Sequence, residues 1–544
     1  MVYRLPLLIF LSMAGYAALL FHLHNIQISN GQYYVAQAES QFAAQNSLKA
    51  IRGLIYFTDK NGNRTPAAAN KDFIEIYAVP KAIPDPAEAA NAIAPVLQES
   101  TQVLYKKFSK PDDEYELLEK KASAATVKDI KDIGLEGIYS MRTTERYYPF
   151  GSLAAHLLGY VGPNSEDNDL SGRYGLENFY ETRLAGEPGE MRANRLVPPQ
   201  AGRDLQITLD SNIQMEAARI LEQLIKKYSA KGGTVIVQEP RTGKILAMES
   251  RPHYDPNLYS ESPIGDFLNP TVQKVYEPGS VFKVLTMAAG IDTGKISPDT
   301  TFYDSGSLVL NGKTIRNWDL QAYGTVTMTN VIEKSLNTGA AFAQRQTGDK
   351  VFADYVDRFG FGEKTGVDLP GELAGDLRTI GPGAQPVEFA TASFGQGVAV
   401  TPLQLINAIA VIANGGELMR PYVNAELAPE RIRRVISPGT AAQVTAMMVS
   451  AVDKAEIAKV SGYTLAGKTG TAQVPDLKYG GYKDAYINTY VGFGPTTDPR
   501  FIILIKLDEP AGAPLAGQTV VPAFRELAQF MLNYYNIPPD RIGE

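Results

Sequence analysis

Apolar residues appear along the chain first as one unbroken run and only later as periodic patterns. From Leu5 to Phe21 the text LPLLIFLSMAGYAALLF holds about 17 uncharged residues, enough at about 1.5 Å each for a helix to cross a bilayer core of about 30 Å. Arg4 precedes the run, which predicts a cytoplasmic N-terminus and an extracytoplasmic remainder. No small-x-small cleavage site follows: His22, Leu23, His24, Asn25 and Ile26 come next, and Ala36-Gln37-Ala38 is too distant. The run therefore reads as an uncleaved membrane anchor.

Residues 25–45 continue in a polar helical pattern. IRGLIYFTDKNGN is strand-like and closes on the turn signal Asn61-Gly62. AIPDPAEAANAIAPVLQ reads as a proline-led helix, the charged stretch from Asp112 to Gly134 as a helix with a solvated face, and PNSEDNDLSG as a loop. Pro198 and Pro199 mark a boundary. Beyond it DLQITLD alternates as a strand does, and SNIQMEAARILEQLIKKY has helical spacing with Ser211 as its expected N-cap. GGTVIVQEP and GKILAMESR form a hairpin around Pro240-Arg241-Thr242-Gly243. YINTYVGFGP and FIILIKLD predict two more strands, and VPAFRELAQFMLNYY a closing helix. The expected fold is α+β, an antiparallel sheet flanked by helices, with no repeat period. Three parts are expected: a stub and transmembrane anchor over 1–24, an elongated α+β interaction domain over 25–200, and a catalytic domain over 201–544.

Composition narrows the chemistry. Of 544 residues, 59 are acidic and 52 basic, a net charge of −7, and no long Lys/Arg run is present, which argues against a nucleic-acid partner. There is no cysteine, which excludes disulfides, a thiolate nucleophile, iron–sulfur clusters and cysteine zinc sites. Four histidines, His22, His24, His156 and His253, leave little for metal or imidazole chemistry. No metal and no cofactor is expected, and an enzyme built from this chain works with Ser, Thr, Lys, Asp, Glu, Tyr or Asn.

Three short motifs supply such chemistry. In YEPGSVFKVLTMAAG, Ser280 opens a buried helix and Lys283 follows three residues later on the same face. Apolar neighbours lower the lysine pKa, so that a neutral amine can take the serine proton, and the helix N-terminus favours developing negative charge. In VIEKSLNTGAAFAQ, Ser335 and Asn337 stand where a helix gives way to a turn, one placed to relay a proton and the other to bind a substrate amide. In GYTLAGKTGTAQ, a strand carries Lys468, Thr469, Gly470 and Thr471; the glycine admits an extended substrate, and Lys468 and Thr469 suit a carboxylate. The backbone N–H groups near Thr471 and Ser280 are candidates for an oxyanion hole.

The order Ser-x-x-Lys, Ser-x-Asn, Lys-Thr-Gly is that of penicillin-binding proteins and serine β-lactamases, and nearly the whole chain resembles the class B penicillin-binding proteins. RGLI near Arg52, ERYYPFGSLAAHLLGYVG, GRYGLENFYETRLAGEPG, RPHYDPN, ASFGQGVAVTPLQLINAIAVIANGG and TYVGFGPTTDPR all match in order. The resemblance implies a pedestal of the dimerisation type, a β-lactamase-like transpeptidase domain, and a D,D-transpeptidase acting on peptidoglycan stem peptides, with Ser280, Lys283, Ser335, Asn337 and Lys468 catalytic and Thr469, Gly470 and Thr471 binding substrate. It also implies lipid-linked glycan strands, a membrane-embedded glycan polymerase and division or elongation proteins as partners, β-lactams as covalent inhibitors, and a division-type rather than an elongation-type enzyme. A D,D-carboxypeptidase or β-lactamase-type hydrolase would use the same acyl-enzyme. Three features read as bystanders: Lys364-Thr365-Gly366 as a surface turn, Glu333 with Leu336-Asn337 as an accidental Glu-x-x-Leu-Asn match, and His253 as a turn residue. PLAGQTVVPAF stands where many relatives have a Gly-Gly run, so substrate contacts there are left open.

Overall fold

The computed structural model describes residues 4–24, 49–164, 170–192, 195–476 and 478–541. It falls into two compact units, Met1–Gly53 with Thr182–Arg203, and Leu54–Glu181 with Asp204–Glu544. In the first, helix α1 spans Arg4–His24. Among the described residues no helix is long and apolar enough to cross a membrane; several side chains of the expected anchor, and the expected polar helix at 25–45, lie outside the described residues. The Gly53 N–H donates to the Leu184 carbonyl and that of Gly202 to Ile51, both at 2.8 Å.

The second unit holds two five-stranded sheets. The first uses β1 (Ile55–Thr58), β2 (Arg64–Ala78), β3 (Glu116–Ala122), β4 (Ile138–Tyr147) and β5 (Leu205–Gln206). Its order is β3-β2-β1-β5, with β4 also on β2, and β1 and β5 run parallel. Helices α2 (Pro86–Leu97), α3 (Thr101–Phe108) and α4 (Ala124–Ile133) cover it around Ile76, Ile93, Leu104, Phe108 and Ile130. The expected helix from Asp112 to Gly134 is thus half wrong. Its first part, ELLEKKA, pairs with β2 as an edge strand whose charges stay solvated, and a helix starts only after Ser123, whose hydroxyl accepts the Thr126 N–H at 3.0 Å.

The second sheet is antiparallel throughout. Helix α5 (Ser211–Tyr228) precedes β6 (Gly232–Gln238) and β7 (Ile245–Arg251), the expected hairpin. Its N-cap is Asp210 rather than Ser211: the carboxylate of the extended Asp210 accepts the Asn212 N–H at 2.9 Å, and Ser211 is already helical. DLQITLD forms a strand only at β5. Strands β8 (Ala466–Pro475), β9 (Tyr482–Gly494) and β10 (Phe501–Asp508) complete the order β7-β6-β10-β9-β8, which leaves β8 at the edge. In β10, Phe501, Ile503, Ile505 and Leu507 join α5 and the closing helix (Val520–Tyr534) through Leu221, Phe524 and Leu527 in one core. Ile502 and Leu504, which alternate with them, are also fully buried, so the apolar run marks a strand covered on both faces.

Candidate active site

Ser280 stands on a single 3₁₀ turn, Gly279–Phe282, that leads into helix α6 (Lys283–Asp292). Side chains three apart eclipse one another in a 3₁₀ turn, and the Lys283 N–H donates to the Ser280 carbonyl across it. The turn needs its glycine: Gly279 has φ +58°, and its N–H donates to the Gly395 carbonyl at 3.1 Å. A Cβ on Gly395 would lie 2.2 Å from the Gly279 carbonyl oxygen. The serine loop therefore rests on the ASFGQG segment. Edge strand β8 packs on its other side, where a Cβ on Gly470 would come within 2.7 Å of the Pro278 oxygen.

Ser335 and Asn337 join helix α7 (Met328–Lys334) to helix α8 (Asn337–Thr347). Ser335 takes the left-handed conformation, φ +57°. Lys283 is fully buried and its Nζ donates to the Ser335 carbonyl at 2.5 Å and to Asn337 Oδ1 at 2.8 Å, with Ser335 Oγ at 3.3 Å. Burial, with the neighbouring Lys468 charge second, holds its pKa well below the ordinary lysine value. Lys468 Nζ donates to Ser335 Oγ at 3.0 Å and to the Thr469 carbonyl and hydroxyl oxygens, both at 3.1 Å. Burial lowers its pKa to about 7.

Ser335 Oγ thus lies between two amines whose pKa values burial lowers, on three segments widely separated in sequence. Among the expected site residues, Lys283, Ser335, Asn337, Lys468 and Thr469 form one hydrogen-bonded group, and Ser280 and Gly470 join it through the packing of the 3₁₀ turn on β8. Thr471 is engaged from another side, its hydroxyl accepting the Ala516 N–H at 3.3 Å. This brings the PLAGQT segment against the Lys-Thr-Gly strand.

The bystanders remain outside. Lys364 is exposed, and the N–H groups of Thr365 and Gly366 bind the Glu372 carboxylate at 2.8 and 3.1 Å. The Glu333 carboxylate is occupied by the Ser450 hydroxyl at 2.6 Å and Lys454 at 2.7 Å. His253 is half-buried in its turn, with a pKa lowered chiefly by burial. Sequence reasoning missed Glu277, whose buried carboxylate accepts the Gly397 N–H at 2.9 Å and the Tyr482 hydroxyl at 3.0 Å. It ties the residue just before the Pro278-Gly279-Ser280 turn to the ASFGQG segment and to β9. Burial raises its pKa. It also missed Asn317 and Asp304, which carry no motif signal.

Known proteins match the chain over most of its length. Residues 233–529 match the penicillin-binding protein transpeptidase domain, and residues 47–198 the penicillin-binding protein dimerisation domain. The chain is 33% identical to stage V sporulation protein D of Bacillus subtilis over 91% of its own length and 80% of that protein's. It is 28% identical to the peptidoglycan D,D-transpeptidase FtsI of Escherichia coli, covering 99% of this chain and 93% of that one. Penicillin-binding protein 3 of Mycobacterium tuberculosis, solved with aztreonam, superposes with a TM-score of 0.69 at 28% identity, over 91% of this chain and 98% of that one. With more than half its length in the transpeptidase match and the dimerisation match ahead of it, the chain belongs to the class B penicillin-binding proteins.

Proposed function

We propose that this protein is a membrane-anchored peptidoglycan D,D-transpeptidase of the division type. The observation that carries the reading is Ser335 Oγ held between Lys283 Nζ and Lys468 Nζ, both amines depressed by burial. Neutral Lys283 takes the Ser280 proton as Oγ attacks the carbonyl of the penultimate D-Ala of a stem peptide. The proton passes by way of Ser335, assisted by Lys468, to the nitrogen of the terminal D-Ala, which leaves as the amide bond breaks. An amine of a neighbouring stem then attacks the acyl-enzyme, its proton returns through the same groups to Ser280 Oγ, and a peptide cross-link is released. Asn337 binds the donor amide and Thr469 its carboxylate, with Gly470 and Thr471 lining an edge strand on which an extended peptide can lie. Backbone N–H groups of Ser280 and Thr471 stabilise the oxyanion.

The apolar run Leu5–Phe21 anchors the chain, residues 25–200 form a pedestal, and 201–544 the transpeptidase domain. Lipid-linked glycan strands supply the donor, β-lactams trap Ser280, and the pedestal docks on a membrane-embedded glycan polymerase and division proteins. The lean towards the division type rests on chain length and on the resemblance of the YYPFGSLAAHLLGYVG region.

The test is acylation of the full chain in detergent by a labelled penicillin. A long-lived adduct on Ser280, absent in Ser280→Ala, is expected; rapid turnover of the antibiotic would replace the transpeptidase reading with a β-lactamase.

A further inference from the structure

Helix α8 begins at Asn337, and its own N-cap, Leu336, offers no side-chain acceptor. The cap comes instead from 20 residues upstream. Asn317 Oδ1 accepts the N–H of Asn337 at 3.0 Å and that of Thr338 at 3.3 Å. The Asn317 carboxamide is itself fixed, since its Nδ2 donates to Asp304 Oδ2 at 2.9 Å and to the Gln321 carbonyl at 3.0 Å. Asp304 also accepts the Thr338 hydroxyl at 2.8 Å, the Gly306 N–H at 2.9 Å and the Tyr323 N–H at 3.1 Å. Asn317 and Asp304 are each 1% exposed. The preceding residue completes the grip, because the Asn337 carboxamide donates to the Arg316 carbonyl at 2.8 Å.

We propose that Asn317, oriented by Asp304, is a positioning residue for acylation, holding the Ser335–Asn337 turn in the geometry that receives the Lys283 amine. Both short acceptors of Lys283 Nζ, the Ser335 carbonyl and Asn337 Oδ1, belong to this turn. A non-glycine residue in the left-handed region is strained, so Ser335 stays there only while its surroundings hold it. Without Asn317, the Asn337 and Thr338 N–H groups lose their acceptor, and the turn relaxes towards an ordinary conformation. The acceptors of Lys283 then move, and with them the balance of burial and Lys468 charge that lowers its pKa. A capping role limited to stability would leave that titration unchanged.

The inference rests on Ser280 being the acylated residue, and the experiment separates the two. The full chain in detergent is mixed with fluorescent penicillin, and the second-order acylation rate is followed against pH for wild type, Asn317→Ala, Asp304→Asn and a control, Tyr355→Phe. The control loses one half-buried hydrogen bond, to Asp292 at 2.6 Å, away from the catalytic group. Asn317→Ala is expected to slow acylation about tenfold or more, as misplacement of catalytic groups does, and to move the acid limb of the pH profile. Asp304→Asn keeps the side-chain shape and is expected to slow acylation about threefold with a shift in the same direction; it decides the matter if the alanine variant does not fold. The control is expected to keep the wild-type rate and profile. Rates within about twofold of wild type and an unmoved acid limb in the folded variants would overturn the proposal. A wild-type chain that takes no label on Ser280 would overturn the functional reading instead.

Discussion

Lys468→Met replaces a buried amine with an apolar side chain of similar length, and it should make the protein more stable at neutral pH while abolishing its chemistry. The folded-state pKa is lowered from 10.5 to about 7, a shift of 10.5 − 7 = 3.5. At about 1.36 kcal/mol per unit, the folded state carries a penalty of about 4–5 kcal/mol at and below pH 7. Between pH 7 and 10.5 the unfolded chain holds a proton that the folded protein has shed, so wild-type stability rises with pH across that window and the penalty is gone above it. The variant also loses three hydrogen bonds, to Ser335 Oγ and to two oxygens of Thr469, about 3 kcal/mol together. Its net advantage is about 1–2 kcal/mol at pH 7, reversing to a deficit of about 3 kcal/mol by pH 10.5. Urea unfolding of the full chain in detergent at several pH values should show the two midpoint curves crossing. Parallel curves, with wild type the more stable at every pH, would refute the claim that Lys468 is a depressed, buried amine.

A Cβ at Gly470 would meet the Pro278 oxygen at 2.7 Å and Val281 Cγ2 at 3.0 Å, so Gly470→Ala is expected to lower the urea midpoint by the equivalent of about 1–3 kcal/mol. The same variant should slow penicillin acylation by pushing β8 away from Ser280; an unchanged rate would count against close packing of strand and turn. The raised pKa of Glu277 gives the opposite pH sign to Lys468. The folded protein keeps this proton where the unfolded chain has lost it, so stability falls as pH rises from 4.5 towards the folded value. Glu277→Gln cannot titrate and should flatten that slope in the unfolding midpoint; an undiminished slope assigns it to other groups.

Local signals in the chain proved sufficient wherever one element answers to one pattern. FIILIKLD and GGTVIVQEP read as strands and are strands, and the Pro240-Arg241-Thr242-Gly243 turn joins the second of them to its neighbour as the expected hairpin. The three motifs named residues that the fold brings together, because each demands a particular residue at short range: Lys283 one turn from Ser280, Asn337 beside Ser335, and a glycine in the strand after Lys468. The same local reasoning failed for ELLEKKA, whose helical composition yields to the open edge of β2, and for the N-cap of α5, where backbone geometry chose Asp210 over Ser211.

What the chain by itself determined is therefore the inventory: no thiol, few imidazoles, a serine and two lysines able to act as nucleophile and bases. Only the tertiary structure decided how those groups are tuned and held. A pKa is depressed by what surrounds an amine in space, and Ser335 and Lys468, 133 positions apart in sequence, meet in a hydrogen bond of 3.0 Å. Asn317, Asp304 and Glu277 have no spacing rule to announce them, because a carboxamide or carboxylate that caps a distant turn is defined by the fold that brings the two segments together.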